Sequence, residues 1–524
     1  MVEAPLGDRP RSTEADTLGG VTEGNRLYFG DNLGILRDRI SDASVDLVYL
    51  DPPFNSKKDY NLIFAGPSGE RSTSQVQAFE DSWTWGEEAE RVYQYLTNSA
   101  EHHGRVPTQV SRLVGALRAG IGDNDVTAYL VMMAVRLIEL HRVLKPTGSI
   151  YLHCDPAASH YLKVVMDAIF GATNFRREIV WRSGWVSGFK AAARNWIRNH
   201  DILLYYVKNV RQPWTFNKDL AYLPHAAGYE RRGGGGNPKG VAIEDVWTDI
   251  FSPWIMSFST EKLGWPTQKP IDLLKRIIEV SSNPGDLVLD PFCGCGTALA
   301  ACEELPQKRR WVGIDITPLA ITVIKDRMRN AYGLKDIPVD GEPADLDGAR
   351  ALASGDNGPY AFQWWAVGKI GARPVTDAER KKGSDKGIDG ELTFTDDGGS
   401  DVQRILISVK SGGVNSGQVR DLRGTVEGEG AAIGVFVTLR PPTKQMDEVA
   451  VKAGWYDSPM WGRKFRRIQI VTADDLVSGR TADLPPSTSS GLRQAAKVRP
   501  KADQAELFSI AAEEPAPYES SDSN

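Results

Sequence analysis

Apolar residues in this chain come in short unbroken runs separated by helix-length amphipathic stretches, the pattern of a parallel sheet covered on both faces. The run Val45-Asp-Leu-Val-Tyr-Leu50 predicts a strand over 45–50. It must end at Asp51-Pro52-Pro53-Phe54, because two prolines permit neither helix nor ladder. Residues 125–145 carry apolar positions at helical spacing, stopped by Pro146-Thr147-Gly148, and 149–153 predicts the next strand. Further along, the pattern predicts a strand over 201–207, an amphipathic helix over 270–279 and a buried strand over 286–289. The loop from Asp290 to Thr297, a helix over 298–305 and a strand over 311–314 ending at Asp315 complete a β-loop-α-β unit of a doubly wound sheet.

Outside these segments the periodicity fades. Residues 1–24 read as a disordered tail, with order starting at Asn25; the Gly-, Asp- and Pro-rich stretch 336–359 reads as a linker. A second α/β region spans 360–480, and the Pro-, Ser- and charge-rich end, 481–524, reads as another tail. A length of 524 residues allows several domains, and a composition 41% hydrophobic and 25% charged excludes wholesale disorder, collagen and coiled coil. No run of about 18 apolar residues occurs and the amino-terminal residues lack a signal-type apolar run, so a cytoplasmic location is expected.

The net charge of −6 hides an uneven distribution. Residues 176–239 hold twelve Lys and Arg against four Asp and Glu, interleaved with Trp181, Trp185, Phe189, Trp196, Trp214 and Phe216. Basic charge among aromatic rings is a nucleic-acid surface composition, although a solvated face would share it. The tetraglycine 233–236 predicts a mobile loop. Four cysteines make no disulfide framework, and the CxC spacing of Cys293 and Cys295, with no histidine nearby, does not match the paired ligands of zinc.

Two loops carry chemistry, both at carboxyl ends of strands, where open α/β sheets bind ligands. In Asp290-Pro291-Phe292-Cys293-Gly294-Cys295-Gly296-Thr297 the alternate glycines let backbone N–H groups approach a ligand, ahead of a helix amino terminus that favours anions. Asp315, at the end of the next strand, has the position of a ribose-binding acid. An adenosine-bearing cofactor follows, though a ligand-free tight turn would use the same glycines. NAD fits poorly, since Leu299 stands where the third glycine of GxGxxG belongs. In the other loop, Asp51 and the Pro52 carbonyl can accept both hydrogens of an exocyclic amine, drawing its nitrogen toward sp³, while Phe54 stacks on a flipped base.

Residues 25–335 resemble the amino-directed DNA methyltransferases that carry (D/N/S)PP(Y/F). The resemblance is to the β class and to type III Mod subunits, because the DPPF loop precedes the cofactor loop. Gly30-Asp31-Asn32, Ser149 through Asp155, Asn174 through Trp181 and Pro266-Thr267-Gln268-Lys269-Pro270 strengthen it. The resemblance implies that Asp51, Pro52, Pro53 and Phe54 form the catalytic loop. It implies that Asp290, Pro291, Phe292, Gly294, Gly296 and Thr297 hold S-adenosylmethionine, that Asp315 takes its ribose, and that Asp31 and Lys269 line the same pocket. It also puts a target-recognition region at 182–240, contacting double-stranded DNA. Adenine N6 is the favoured target from DPPF, with cytosine N4 the alternative. Cytosine C5 chemistry is excluded because no Pro-Cys dipeptide supplies the nucleophile.

In the second region, Lys386 to Gly390 and Arg404 to Lys410 resemble the PD-(D/E)xK core of Mrr-like restriction endonucleases. That resemblance implies Mg²⁺ at Asp389 and water activation by Lys410. Ser408 departs from it, occupying the place of a Glu or Gln ligand, so DNA binding or regulation competes with cleavage. In the tail, Gln504, Leu507 and Phe508 resemble a QxxLF sliding-clamp docking peptide.

The expected fold is thus α/β: a permuted Rossmann-like S-adenosylmethionine-dependent methyltransferase sheet with an inserted recognition region, plus a smaller PD-(D/E)xK-like domain. The expected activity is site-specific adenine-N6 methylation in restriction-modification or mobile-DNA biology. A single-chain enzyme that also cleaves is the alternative. A restriction or helicase partner and a homodimer are compatible with it, and a membrane is not.

Overall fold

The computed structural model describes residues 24–53, 60–65, 71–79, 85–184, 194–225, 238–252, 265, 267–354, 358–374, 387–396 and 402–485. In chain order the first strands are β1 (Arg26–Phe29), β2 (Val45–Leu50), the paired β3 (Tyr60–Ala65) and β4 (Arg71–Phe79), and β5 (Leu144–Cys154). Next come β6 (Phe175–Arg182), β7 (His200–Val207), the short pair β8 (Tyr222–Leu223) and β9 (Val241–Ala242), and β10 (Val246–Trp247). The amino-terminal part ends with β11 (Leu287–Asp290), β12 (Arg310–Asp315) and β13 (Val339–Asp340).

Nine of these strands form one sheet in the order β10-β6-β7-β5-β2-β11-β12-β1-β13. All its pairings are parallel except those of β7, which runs antiparallel to both β5 and β6. The central strand β2 is apolar at nearly every position because both faces are covered: Val48 and Leu50 join one core layer, Leu47 and Tyr49 the other. The helix Asp125–Val143 is buried over most of its surface between β2 and β5 in sequence, and Asn124 caps it by accepting the Thr127 N–H at 3.0 Å. Each fully buried Leu or Val in these layers contributes about 1.5–3 kcal/mol.

The topology sets the site. From β2 the chain crosses by that helix to β5 on one side, whereas from β11 it crosses by the helix Thr297–Glu304 to β12 on the other. Strands β2 and β11 are neighbours, with Val48 opposite Leu289. A crevice therefore opens where the strand order reverses, beyond Leu50 and Asp290.

The remaining strands are β14 (Arg373–Pro374), β15 (Gly390–Thr395), β16 (Val402–Lys410), β17 (Ile433–Thr438), β18 (Trp455–Ser458), β19 (Arg463–Arg466) and β20 (Ile468–Thr472). They make a five-stranded sheet, β14-β15-β16-β17-β20, and a separate β18–β19 hairpin.

Three expectations need correction. The helix over 125–145 ends at Val143 and β5 starts at once, at Leu144, although Pro146-Thr147-Gly148 reads as a break. The ladder tolerates the proline through an irregularity: β2 advances from Val45 to Leu47 while β5 advances from Leu144 to Ser149. The stretch expected to be a linker is structured. Val339–Asp340 adds β13 to the sheet edge, and Leu346–Ser354 is a helix packed against Gly358–Ile370. Gly341 turns the chain there at φ +91°, where a Cβ would collide with the Phe29 carbonyl oxygen. Glu342 then bridges Lys369 at 2.5 Å and Lys325 at 3.8 Å.

The basic segment is only partly surface. Residues 175–182 and 200–207 are strands of the large sheet, and Trp181 is buried, donating to the Ile250 carbonyl at 2.8 Å. Its surface character survives at Trp196, 97% exposed, and Phe216, 41% exposed. Trp185, Phe189 and the tetraglycine 233–236 lie outside the described residues, as do the tail over 1–23 and the QxxLF segment.

Candidate active site

At the switch point, Asp51 follows β2 directly and starts the rigid Asp51-Pro52-Pro53 turn. Phe54 lies outside the described residues, as does Pro266. Across the crevice the cofactor-type loop leaves β11 at Asp290. Tyr49, Asp51, Trp265, Lys269, Asp290 and Gly294 are among the residues lining a single cleft, together with Phe292 and Thr297. The two loops singled out in the sequence are therefore the walls of one pocket.

Lys269 joins those walls, its Nζ donating to Asp51 Oδ2 at 2.7 Å with both side chains largely buried. Asp290 is 4% exposed and accepts the Phe292 N–H at 3.1 Å. Burial holds its carboxyl well above the ordinary range; the Phe292 N–H opposes this, and the charges of Asp51 and Asp315 add to it.

Gly294 and Gly296 have φ +49° and +73°, left-handed backbone that a side chain disfavours. A Cβ on Gly296 would also sit 2.8 Å from Ile324 Cγ1. Arg327 fixes the turn by donating to the Cys295 carbonyl at 3.0 Å. Cys293 and Cys295 are buried, and burial pushes both thiols up, so they stay neutral filling.

Asp31, Pro291, Gly296 and Asp315, also expected around a cofactor, belong to the turns that shape and support the glycine loop of this cleft. Asp315 accepts the Gly294 N–H at 2.8 Å and the Thr317 N–H and hydroxyl at 2.9 and 2.8 Å. It thereby shapes the glycine loop. Asp31 is held by Arg136 at 2.6 Å, while neighbouring Asn32 donates to the Pro291 carbonyl at 2.8 Å, tying the Gly30-Asp31-Asn32 turn to that loop.

Beneath Asp51 runs a polar chain that sequence reasoning missed. Tyr49 hydroxyl meets His153 Nδ1 at 2.9 Å, and His153 Nε2 lies 3.4 Å from Asp201 Oδ2. Arg198 donates to Asp201 Oδ1 at 2.9 Å and to Asp155 Oδ2 at 3.1 Å. Burial raises the Asp201 carboxyl, but His153, Lys269 and Arg198 outweigh it and leave it below the ordinary range. The available signal was strand alternation, which puts Tyr49 on the same face as Asp51.

The carboxyl-terminal sheet holds Asp389 and Lys410 together without completing a metal site. Asp389 Oδ2 accepts the Val409 N–H at 2.6 Å and lies 3.7 Å from Lys410 Nζ. Ser408 is buried between them in sequence and brings no charge. Among the described residues no cluster of three His, Cys, Asp or Glu could hold a metal ion. Of the Mg²⁺ site that the resemblance implies, the described residues supply one carboxylate, Asp389, with its Oδ2 engaged by the Val409 N–H and near the Lys410 ammonium, and an uncharged Ser408 in the second ligand's place, so Mg²⁺ there is not supported.

Fold and site together define an α/β protein with an acid-Pro-Pro turn and a glycine cradle sharing one cleft at the reversal of strand order. Residues 45–326, more than half of the chain, match the N6/N4 DNA methylase family, and the chain belongs to it. Residues 374–478 match a second family, described as NACHT-associated inactive restriction endonuclease 1.

Similar proteins include the type II methyltransferase M.BamHI of Bacillus amyloliquefaciens, 30% identical over 318 residues, 59% of this chain and 58% of the relative. The DNA adenine methyltransferase YhdJ of Escherichia coli K12 is 31% identical over 184 residues, 34% of this chain and 60% of the relative. The chain thus spans about three fifths of the length of these relatives. Among solved structures, a DNA modification methylase of Thermus thermophilus complexed with S-adenosyl-L-methionine aligns with a TM-score of 0.35 and 19% identity, covering 60% of this chain and 98% of that one. The cytosine-N4-specific PvuII DNA methyltransferase aligns at 0.32 and 14%, covering 58% and 86%. Among the described residues no helix is long and apolar enough to cross a membrane.

Proposed function

We propose that this chain methylates the exocyclic N6 of adenine in double-stranded DNA, with S-adenosylmethionine as donor. The observation that carries the reading is that the amine-binding turn at Asp51 and the cofactor-type loop line one cleft, with Lys269 lining it too and bonded to Asp51. The residues present fit the cofactor. Gly294 lines the cleft, where a Cβ would meet the Trp265 ring at 3.4 Å, and a helix of eight residues starts directly behind the loop.

When bound, S-adenosylmethionine supplies a methyl group on a sulfonium, which the amine nitrogen accepts as it loses a proton. Asp290, Phe292, Gly294 and Thr297 would hold it, with Asp315 reserved for the ribose and for the shape of the loop, and Asp31 at the edge. Asp51 and the Pro52 carbonyl would each accept one amine hydrogen, exposing the nitrogen lone pair. Lys269 occupies one oxygen of Asp51, and a carboxylate has about four acceptor sites, so capacity remains for the amine. The ammonium also offsets the negative charge that Asp51 brings into the cleft, so the accepting carboxylate is not left alone there. Tyr49 closes the floor of the base site, and the aromatic ring of the DPPF sequence, Phe54, would stack on the base.

Adenine is favoured over cytosine by the DPPF loop and by similarity to an adenine methyltransferase. The surface residues within 182–240, including Trp196, would contact DNA. The carboxyl-terminal domain fits a role without cleavage, because Asp389 and Lys410 lack a second acidic ligand. The setting this supports is restriction-modification, with any nuclease or helicase supplied by another chain.

The test is single-molecule sequencing of genomic DNA from a methylation-free host expressing this chain or Asp51→Ala, with nucleoside mass spectrometry. N6-methyladenine at one recurring motif, absent with Asp51→Ala, is expected. N4-methylcytosine would overturn the choice of base, and no mark with either chain would overturn the activity.

A further inference from the structure

The β18–β19 hairpin stands apart from both sites. Its register pairs Trp455 with Arg466, Tyr456 with Phe465 and Asp457 with Lys464, so side chains alternate between two faces. On the inner face Phe465 is buried, and the hydroxyls of Tyr456 (at 2.5 Å) and Ser458 both donate to the Asp396 carboxylate. Asp396, itself buried, also accepts the Met460 N–H at 3.2 Å. The hairpin and its turn are thereby fixed to one buried anion rather than left to fray.

That anchor sits at a defined place. Asp396 follows β15 where Thr395 pairs with Val402, at the start of β16, whereas Asp389 and Lys410 lie at the opposite end of the same two strands. The hairpin is therefore anchored at the end of these strands opposite the Asp389–Lys410 pair.

The outer face is not what a purely structural ribbon needs. Trp455, Met460 and Trp461 are 54%, 47% and 39% exposed. Lys464 and Arg466 share the Trp455 face, with the Arg466 guanidinium 4.6 Å from the centre of the Trp455 ring, whereas Arg463, opposite Ser458, lies on the Phe465 face with its guanidinium 5.1 Å from that ring. Arg463 and Lys464 pair with the exposed carboxylates Asp483 and Asp457 at 2.8 and 3.2 Å. Exposed pairs of this kind hold weakly, so phosphate oxygens can displace the carboxylates. A protein-binding hot spot is depleted of lysine at its centre, whereas nucleic-acid surfaces combine cations with flat rings, and two-stranded ribbons are a known form of DNA reader.

We infer that the β18–β19 hairpin is a second DNA-gripping surface of this chain. Lys464 and Arg466 neutralise backbone phosphates, and Trp455 and Trp461 pack on sugars or bases. The inference rests on the methylase reading only in taking DNA as the ligand, and it gives the carboxyl-terminal domain a task independent of Asp389 and Lys410.

The test uses the full chain carrying Asp51→Ala, so that no methylation alters the probe. Fluorescence anisotropy is followed on a random-sequence duplex and on its single strand over a sodium chloride series. The double change Lys464→Ala, Arg466→Ala should weaken binding about 10-fold at low salt and reduce the slope of log K against log salt by about 2. The pair Trp455→Ala, Trp461→Ala should weaken binding and leave the slope in place. Loss confined to the single strand would assign stacking on unpaired bases; loss on the duplex assigns grip on the double helix. Asp396→Ala, which frees the hairpin, should reproduce the loss, and thermal unfolding monitors folding of every variant. Unchanged affinity and slope in folded variants would overturn the inference and leave the ribbon as a protein-contact face. Absence of methylation by the unaltered chain would instead overturn the proposed activity and leave these binding results standing.

Discussion

Lys269 Nζ and Asp51 Oδ2 are 2.7 Å apart, an ion pair between the turn after β2 and the segment leading into the helix Ile271–Ser281. Both side chains are largely withdrawn from water, where a pair is sensitive to loss of either partner. Lys269→Ala is expected to lower kcat/KM for DNA methylation by about 10–100-fold, about 1.4–2.8 kcal/mol of transition-state stabilisation. Lys269→Arg should recover part of it. Steady-state methylation with labelled cofactor reads both, and full activity in Lys269→Ala would remove the pair from the mechanism.

Asp51→Asn keeps the shape of the turn but removes the charge. It should cost about 10²–10³-fold in kcat, as loss of one aimed electrostatic partner does, while equilibrium dialysis finds cofactor affinity within about threefold of the unaltered chain on the same partition of roles. A matching loss of cofactor binding would mean that Asp51 belongs to the cofactor site.

Asp290 supplies a pH signature. Its folded carboxyl titrates well above the ordinary 3.8, chiefly through burial, so the folded state holds a proton that the unfolded chain has already lost. This contribution to stability is complete below about pH 3.8 and drains away as pH rises through the folded value. Asp290→Asn does not titrate, so the ligand-free variant should melt progressively higher than the unaltered chain as pH is raised from 5 to 8, while its cofactor affinity falls. Calorimetric melts at several pH values read the first, and a constant difference between the two proteins would show that Asp290 titrates normally.

His153→Gln interrupts the chain from Tyr49 to Asp201 with little change in volume. The expected result is a fall of about 10-fold in kcat with KM for DNA preserved, because a floor that no longer holds Tyr49 costs orientation rather than affinity. Tyr49→Phe should match it. A rise in KM alone would place the network in DNA recognition.

Gly296→Ala introduces a side chain at φ +73° and 2.8 Å from Ile324. Strain of this kind costs about 1–3 kcal/mol, so urea unfolding should move to lower midpoints and cofactor binding should weaken together. Neither change would show that the loop has room to adjust.

Local patterns were legible in the sequence wherever the chain carries its own punctuation. The strand over 45–50 ends at a double proline, and the unit from 287 to 315 repeats apolar run, glycine turn and helix, so both loops could be placed before any coordinates. What brings Lys269 to Asp51, or His153 to Tyr49, is the order of strands in the sheet, and no local pattern encodes that order. The segment 336–359 misled for a related reason. Glycine and proline signal a turn, but β13 pairs with β1, packs Val339 on the core and bonds Asp340 to Arg26, and Glu342 is held by lysines on two different helices. At Ser408 the sequence was informative because an absent charge is visible in a residue name, whereas the Val409 N–H on Asp389 was not.

The pairing of β2 with β11 joins segments far apart along the chain, and the contact between Asp51 and Lys269 spans 218 residues. A ribosome must therefore release almost the whole amino-terminal sheet before the cleft can close, and folding of the site waits on contacts of high sequence separation. No shorter product of interrupted synthesis or proteolysis upstream of that point carries both walls. On the proposed function, a fragment that lacks either wall would leave DNA unmodified, and two complementary halves supplied separately would act as a switch, silent until they meet.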